Sequence, residues 1–297
     1  MLKIIWIEPL GFCFGVRRAI ERAREIKSKI SGPVYTDGPL IHNWQVLEAL
    51  EKEGIVAKEI KDTFCPENAS AILIRAHGIS PDRHCWLKTW CHSHNCSLVD
   101  ATCPHVARTA DLVQHYSRKG YIIFLLGDPE HAEIQGLKAH AKTSCFVFQD
   151  MPSLDHFLNN VEKNTLAQPH LLTSQSTLDV NFLEQAARYL SKKLPQLIIR
   201  NTICSATRQR QQSLRNALRL GVDAILVIGG KNSANTRRLV AIAQASHTST
   251  YHIENEKEIN LETLRSVQKL GICSGTSASE ENIQKIVDFL RKKFSNF

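Results

Sequence analysis

GFCFGVRRAIERA (residues 11–23), read with the apolar run IIWI just before it (residues 4–7), sets Cys13 between a strand-like segment and an amphipathic helix-like one. The arrangement recurs as CSLVDATCPHVARTADLVQHY (96–116) around Cys103 and as LIIRNTICSATRQRQQSLRNAL (197–218) around Cys204. Recurrence at intervals of roughly 90 and 100 residues means three copies of one unit. Three equivalent thiols imply one shared centre.

The repeat continues past each cysteine. A strand and polar loop follow each helix, as VYTDGPLIHN (34–43), YIIFLLGDPEHAE (121–133) and AILVIGGKNSANT (224–236), and a further helix follows each loop. A second strand then ends in small polar residues, AILIRAHGIS (71–80), HLLTSQSTLD (170–179) and KLGICSGTSAS (269–279). Another helix comes after it, plainest in VNFLEQAARYLSKKL (180–194) and ENIQKIVDFLRKKF (281–294). Strands alternating with helices predict an α/β protein of small, mostly parallel sheets covered by helices. The third copy lacks a strand after its last helix, and residues 3–7 supply the only spare one. The expected units are therefore 13–102, 103–203, and 204–297 plus 1–12, closed into a pseudo-threefold trefoil.

Ligands of parallel α/β units gather at the carboxyl ends of strands, where helix amides point inward. The three cysteines, the three polar loops and the three small-residue loops all fall at such ends, so nine segments should face one central cavity.

Composition sets the outer bounds. A chain of 297 residues with 43% hydrophobic content is long enough for several cores. No apolar run reaches membrane-spanning length, and MLKIIWIEPLG has neither a signal-peptide core nor a cleavage site. A cytoplasmic protein without a membrane partner is the expectation. The net charge of +8 suits an anionic substrate or an acidic partner, but the basic residues are scattered through helices and aromatics are only 7%. A nucleic-acid role would rest on charge alone.

Nine cysteines without close regular spacing point to metal binding or catalysis rather than to a disulfide framework. Cys65, Cys85, Cys91, Cys96, Cys145 and Cys273 lie outside the repeated position and are assigned to packing. RHCWLKTWCHSHNC (83–96) crowds histidines and cysteines together and could be taken for a zinc knot. It lacks CxxC-like pairs and stands where the other units have a helix and turn.

A [4Fe–4S] cluster usually takes four thiolates, so three protein ligands would leave one iron open to polarise a substrate oxygen. Helix N-termini beside Cys13, Cys103 and Cys204 would stabilise the thiolates and the cluster charge. His42, His77 and His131 come from two polar loops and the AHG loop, and with Ser233, Asn235, Ser277 and loop amides they suit a phosphate-bearing anion. Any one serine or asparagine alone would read as a helix cap. Glu133 is the carboxylate best placed to protonate a departing hydroxyl; alone it would read as a first-turn glutamate facing the helix dipole.

At this point GFCFGV, IHN (41–43), AHG (76–78), DATCP (100–104), HAE (131–133), SQST (174–177), ICSATRQRQ (203–211), KNSAN (231–235) and SGTSAS (274–279) together resemble the 4-hydroxy-3-methylbut-2-enyl diphosphate reductases, last enzymes of the methylerythritol phosphate route to isoprenoids. The motifs run in the family's order over nearly the whole chain. The resemblance implies a trefoil fold and one [4Fe–4S] cluster per chain on Cys13, Cys103 and Cys204. It implies removal of the C4 hydroxyl of an allylic diphosphate as water, with two electrons and two protons, to give isopentenyl and dimethylallyl diphosphates. His42, His77, His131, Ser233, Asn235 and Ser277 would hold the diphosphate, and Glu133 would supply protons.

Two positions depart from the family pattern. SQST stands where TQTT is usual, so Ser176 keeps the hydroxyl of a threonine that orients Glu133 and substrate and loses its methyl. KNSAN stands where KNSSN is usual, so Ala234 deletes a hydroxyl and leaves only its backbone amide to the diphosphate. The positive charge suits an acidic ferredoxin or flavodoxin as electron donor. Two other classes stay open: a non-redox iron–sulfur hydro-lyase, and a zinc-bearing regulatory or nucleic-acid-binding protein.

Overall fold

A computed structural model describes residues 2–66 and 70–294. The chain divides into two compact units, one of Met1–Arg17, Ile41–Ala49 and Ser205–Phe297 and the other of Arg18–Leu40 and Leu50–Cys204. The carboxyl-terminal residues 295–297, included in the third expected unit, lie outside the described residues.

The larger unit holds two four-stranded sheets. β1 (Lys3–Trp6) and α1 (Phe14–Lys27) precede them in the chain. The first sheet is made by β2 (Val34–Asp37), β3 (Ile55–Lys58), β4 (Ala71–Ile74) and β5 (Ser97–Asp100), with α2 (Trp44–Lys52) and α3 (Pro81–Ser93) as connections. Then come α4 (Pro104–Arg118), β6 (Ile122–Leu126), α5 (Ala132–His140), β7 (Cys145–Phe148), α6 (Met151–Asn160), α7 (Lys163–Ala167), β8 (His170–Ser174), α8 (Val180–Ser191) and β9 (Leu197–Ile199). The two orders are β3-β2-β4-β5 and β7-β6-β8-β9, and every pairing is parallel.

The smaller unit holds α9 (Ser205–Arg219), β10 (Ala224–Ile228), α10 (Ala234–Ala245), β11 (Ser249–Ile253), a 3₁₀ turn at Glu256–Glu258, α11 (Leu261–Leu264), β12 (Lys269–Ser274) and α12 (Glu280–Phe294). Its sheet runs β1-β12-β10-β11. The strand that the carboxyl-terminal segment lacks comes from the amino terminus, pairing in parallel from Lys3↔Lys269 to Trp6↔Ile272. Each sheet thus has an inner pair of strands flanked by a cysteine-leading strand on one side and an extra edge strand on the other. The edge strands β3, β7 and β11 were not expected from the sequence.

Pattern explains burial. The central strands β4 AILI, β6 IIFLL and β10 AILVI are buried at every residue, as strands covered by helices on both faces must be. On the sheet with β10, Ile283, Ile286, Val287 and Leu290 of α12 pack one face while Leu214 and Ala217 of α9 with Leu239 and Ile242 of α10 pack the other. The spacing of those residues is the one-sided stripe of an amphipathic helix. Each fully buried leucine or isoleucine contributes about 1.5–3 kcal/mol relative to exposure. Helix starts are marked in the sequence: Ser80 and Asp179 cap α3 and α8, and Asp150 with Ser153 forms a reciprocal box at α6.

Candidate active site

All three cysteines enter their helices in the same way. The Cys13 amide donates to the Thr276 carbonyl (3.0 Å), the Cys103 amide to Ala76 (2.9 Å) and the Cys204 amide to Ser176 (3.0 Å). Each acceptor lies two residues beyond the end of β12, β4 or β8. One backbone bond per copy therefore ties a cysteine to the small-residue loop of its own sheet. Asx turns shape two of the entries, with Asp100 accepting from the Thr102 amide (2.7 Å) and Asn201 from the Ile203 amide (3.0 Å).

The helices begin at Phe14, Pro104 and Ser205, one residue after each cysteine, and none has an acidic residue in its first turn. The free amides of these first turns thus meet no carboxylate of their own turn. The Val16 amide approaches the Cys13 sulfur at 3.5 Å. All three cysteines are partly exposed and unbridged, the state needed for thiolate ligands. This donor set fits an iron–sulfur cluster.

In the larger unit, α5 starts at the HAE motif. His131 caps it, its Nδ1 accepting the Glu133 amide at 3.1 Å, so in the neutral ring the proton sits on Nε2. The His77 ring meets the His131 ring edge-on, with centroids 5.5 Å apart. Glu133 is 2% exposed. Its Oε1 accepts from the Ser176 amide and its Oε2 from the Ser176 hydroxyl, each at 2.7 Å. Burial pushes the Glu133 carboxyl above the usual carboxylate range, against the two Ser176 bonds that favour its charged form. Ser176 thus serves two residues at once, holding Cys204 through its carbonyl and Glu133 through its amide and hydroxyl.

In the smaller unit the IHN loop sits on the SGTSAS loop. The Asn43 side chain donates to the Ser277 carbonyl (2.8 Å) and the Ser277 hydroxyl donates to the His42 carbonyl (3.3 Å). Gly230 permits this approach, since a Cβ there would stand 2.3 Å from the His42 carbonyl oxygen. Ser233 caps α10, its hydroxyl oxygen accepting the Thr236 amide, which leaves its own proton to donate outward. Ala234 is the first residue of α10, and its amide lies outside the helix's own hydrogen-bond ladder. Asn235 is buried and braces the loop: its oxygen accepts the Thr276 amide (3.1 Å) and its nitrogen donates to Thr207 (3.4 Å). Of the three polar residues that could be caps, only Ser233 is one.

The packing assignment of the remaining cysteines holds for buried Cys91 and Cys273 and partly buried Cys96 and Cys145, but Cys65 and Cys85 are exposed and are corrected to surface residues. The 83–96 segment is mostly helix α3, closed by Asn95 at φ 51° and by the Cys96 amide bonded to the Cys91 carbonyl (3.0 Å). No group of three metal-binding side chains forms there among the described residues. Burial pushes the Cys91 thiol up to about 12, opposite to what a zinc thiolate requires.

Gln175 escaped the sequence reading. Its oxygen accepts the Asp128 amide at 3.1 Å, fastening the GDPEHAE loop to the SQST loop. Only its place beside Ser176 in the motif could have signalled this.

The family described as LytB protein matches residues 4–291. The chain is 34% identical to a 4-hydroxy-3-methylbut-2-enyl diphosphate reductase of Opitutus terrae, over 96% of this chain and 98% of that one. It is 33% identical to the enzyme of the same name from Alkaliphilus oremlandii, over 97% and 98%. The solved E-1-hydroxy-2-methyl-but-2-enyl-4-diphosphate reductase of Plasmodium falciparum superposes with a TM-score of 0.88 at 27% identity, covering 98% of this chain and 88% of that one.

Proposed function

We infer that this chain, which belongs to the LytB protein family, is a 4-hydroxy-3-methylbut-2-enyl diphosphate reductase, reducing the allylic diphosphate to isopentenyl and dimethylallyl diphosphates with loss of the C4 hydroxyl as water. Family membership over nearly the whole length supports the reaction. The observation that carries the assignment of chemistry to residues is the buried Glu133 carboxyl held by Ser176 beside the His131 cap.

Cys13, Cys103 and Cys204 would hold a [4Fe–4S] cluster. When bound, such a cluster would pass on the donor's two electrons one at a time and offer a Lewis-acidic iron. His42, His77 and His131 would donate to the diphosphate, joined by the hydroxyl of Ser233, the amide of Asn235, the backbone amide of Ala234 and Ser277, whose hydroxyl would turn from the His42 carbonyl to the phosphate. The Nδ1 bond to the helix directs the His131 proton outward through Nε2. Glu133 would be the proton source, one proton leaving with the hydroxyl as water and the other ending on the allylic carbon, with Ser176 fixing its orientation. Nine unbridged cysteines suit a reducing, cytoplasmic setting, and the charge of +8 suits an acidic ferredoxin or flavodoxin donor. Among the described residues no helix is long and apolar enough to cross a membrane.

The test is anaerobic purification with iron and sulfide analysis, then incubation with the allylic diphosphate with and without a low-potential one-electron donor. Four irons per chain and formation of both products only with the donor are expected. Turnover without reductant would point to a hydro-lyase, and absence of iron would reject the assignment.

A further inference from the structure

A cavity of about 870 Å³ lies within the larger unit, among the carboxyl ends of β2 and β4, the start of α3 and the first turns of α5. Its charged lining is Asp37, Glu59, Lys61, Asp62, Arg75 and Arg83. Most of these charges are accounted for. Arg83 grips Asp37 through two bonds (2.6 and 3.0 Å), donates to the Ile60 carbonyl (2.6 Å), and lies 4.5 Å over the Trp86 ring. Lys61 pairs with Glu59 at 2.9 Å, both well exposed, and Asp62 is exposed to solvent.

Arg75 is different. It is half-buried, and its wholly buried Nε has no hydrogen-bond partner. Burial works against its charge and the neighbouring Arg83 adds repulsion, with only Asp37 in compensation. A guanidinium does not shed its proton to escape such a position. Backbone geometry keeps its place open, because Gly38 (φ 78°) has no Cβ to crowd Nη1 at 3.0 Å. A half-buried cation whose nearest carboxylate is already held by Arg83 is a cost in the empty protein, and an oxyanion would reduce it.

Volume and lining narrow the ligand class. The space is that of a small-molecule site rather than of a lone ion, and Ile79, Trp86 and Ala132 give one side of it apolar surface. We propose that this cavity binds a short-chain organic diphosphate, its head on Arg75 and the uncommitted Nη1 of Arg83 and its apolar body against Ile79, Trp86 and Ala132. The occupant would touch the chain on both sides of the proposed reaction residues. Arg75 is two residues before His77, and Ala132 lies between His131 and Glu133. It is a second site, separate from the one that holds the reacting diphosphate.

Calorimetric titration of the anaerobic holoenzyme with dimethylallyl diphosphate tests this. Wild type should bind two equivalents and Arg75→Gln one, whereas Arg75→Lys should keep both. His77→Ala should retain the Arg75-dependent equivalent, so failure of the reductase assignment would remove only the other. Inorganic diphosphate should bind the Arg75-dependent site at least tenfold more weakly, because it lacks the apolar body. Ligand-free Arg75→Gln should melt at or above the wild-type temperature, since it sheds a desolvated cation that Arg83 repels. Two equivalents bound by Arg75→Gln, equal affinity for inorganic diphosphate, loss of both equivalents in His77→Ala, or a Tm lowered by several degrees in Arg75→Gln would each overturn the proposal.

Discussion

Replacing Ser176 with alanine should move the alkaline limb of the pH–rate profile upward. The Glu133 carboxyl receives two hydrogen bonds at 2.7 Å, one from the Ser176 amide and one from its hydroxyl, and both favour the ionised form against burial. Ser176→Ala removes the hydroxyl and keeps the amide. A hydrogen bond to a charged group is worth about 1.5–3 kcal/mol, and one pH unit corresponds to about 1.4 kcal/mol. Losing it should therefore raise the pH at which Glu133 ionises by about 1–2 units. A proton donor is active while protonated, so the decline in rate at high pH should begin later by that amount. Ser176→Thr, which keeps the hydroxyl, should leave the limb in place, and Glu133→Gln should cost about two to four orders of magnitude in turnover. The assay is kcat against pH with an artificial one-electron donor, on variants matched in iron content and Tm. A limb that stays put or moves down in Ser176→Ala would refute Glu133 as the protonated donor.

Other outcomes follow from the same geometry. Cys13→Ser, Cys103→Ser and Cys204→Ser should each lower bound iron and abolish turnover, whereas Cys85→Ser and Cys96→Ser should leave iron unchanged; iron analysis decides. Ala234→Ser at the start of α10 should lower the KM for the diphosphate with little change in kcat, a new bond to a charged oxygen being worth about 1–3 kcal/mol. Equal KM values would mean that the amide already fills the role. His170, fully buried against Phe124, has its pKa lowered by burial, so it contributes stability that is present above pH 6.5 and lost as pH falls. His170→Phe should therefore lose less Tm between pH 7.5 and 5.5 than wild type, with half-buried His140 accounting for part of the remainder; equal losses would remove His170 from the acid response.

The central strands were legible because burial on both faces writes a continuous apolar run, as in IIFLL and AILVI. The edge strands IVAK, CFVF and STYHI were not. They are four or five residues long and partly exposed, too short for an apolar run or alternation to be told from a turn or a piece of helix. The cysteines could be read because a strand–cysteine–helix pattern repeated three times is local. Glu133 could not be settled from its own neighbours: first-turn glutamates are common, and the partner that decides its role is Ser176, 43 residues away. Arg75 was hidden for the opposite reason. RAHG reads as a histidine motif, and nothing local says that the carboxylate nearest its arginine is held by Arg83.

The bond that places each cysteine uses a backbone carbonyl, and this frees the side chain that bears it. Ala76, Ser176 and Thr276 accept from the three cysteine amides at 2.9–3.0 Å, although one is a methyl group and two are hydroxyls of different size. A contact made by main chain survives any substitution that keeps the local φ and ψ, so three copies can hold the same entry geometry while their side chains diverge. Divergence is what the proposed chemistry needs, since a single proton donor would break the equivalence of the copies. At the second copy the side chain is Ser176, and Glu133 is buried against it. At the first copy the corresponding residue is Ala76, which offers a carboxylate no hydroxyl. At the third, Thr276 donates its amide to Asn235 instead, bracing the loop that carries Ser277. One repeated backbone frame thus carries three different duties, and the positions where the copies differ are where the chemistry is to be sought.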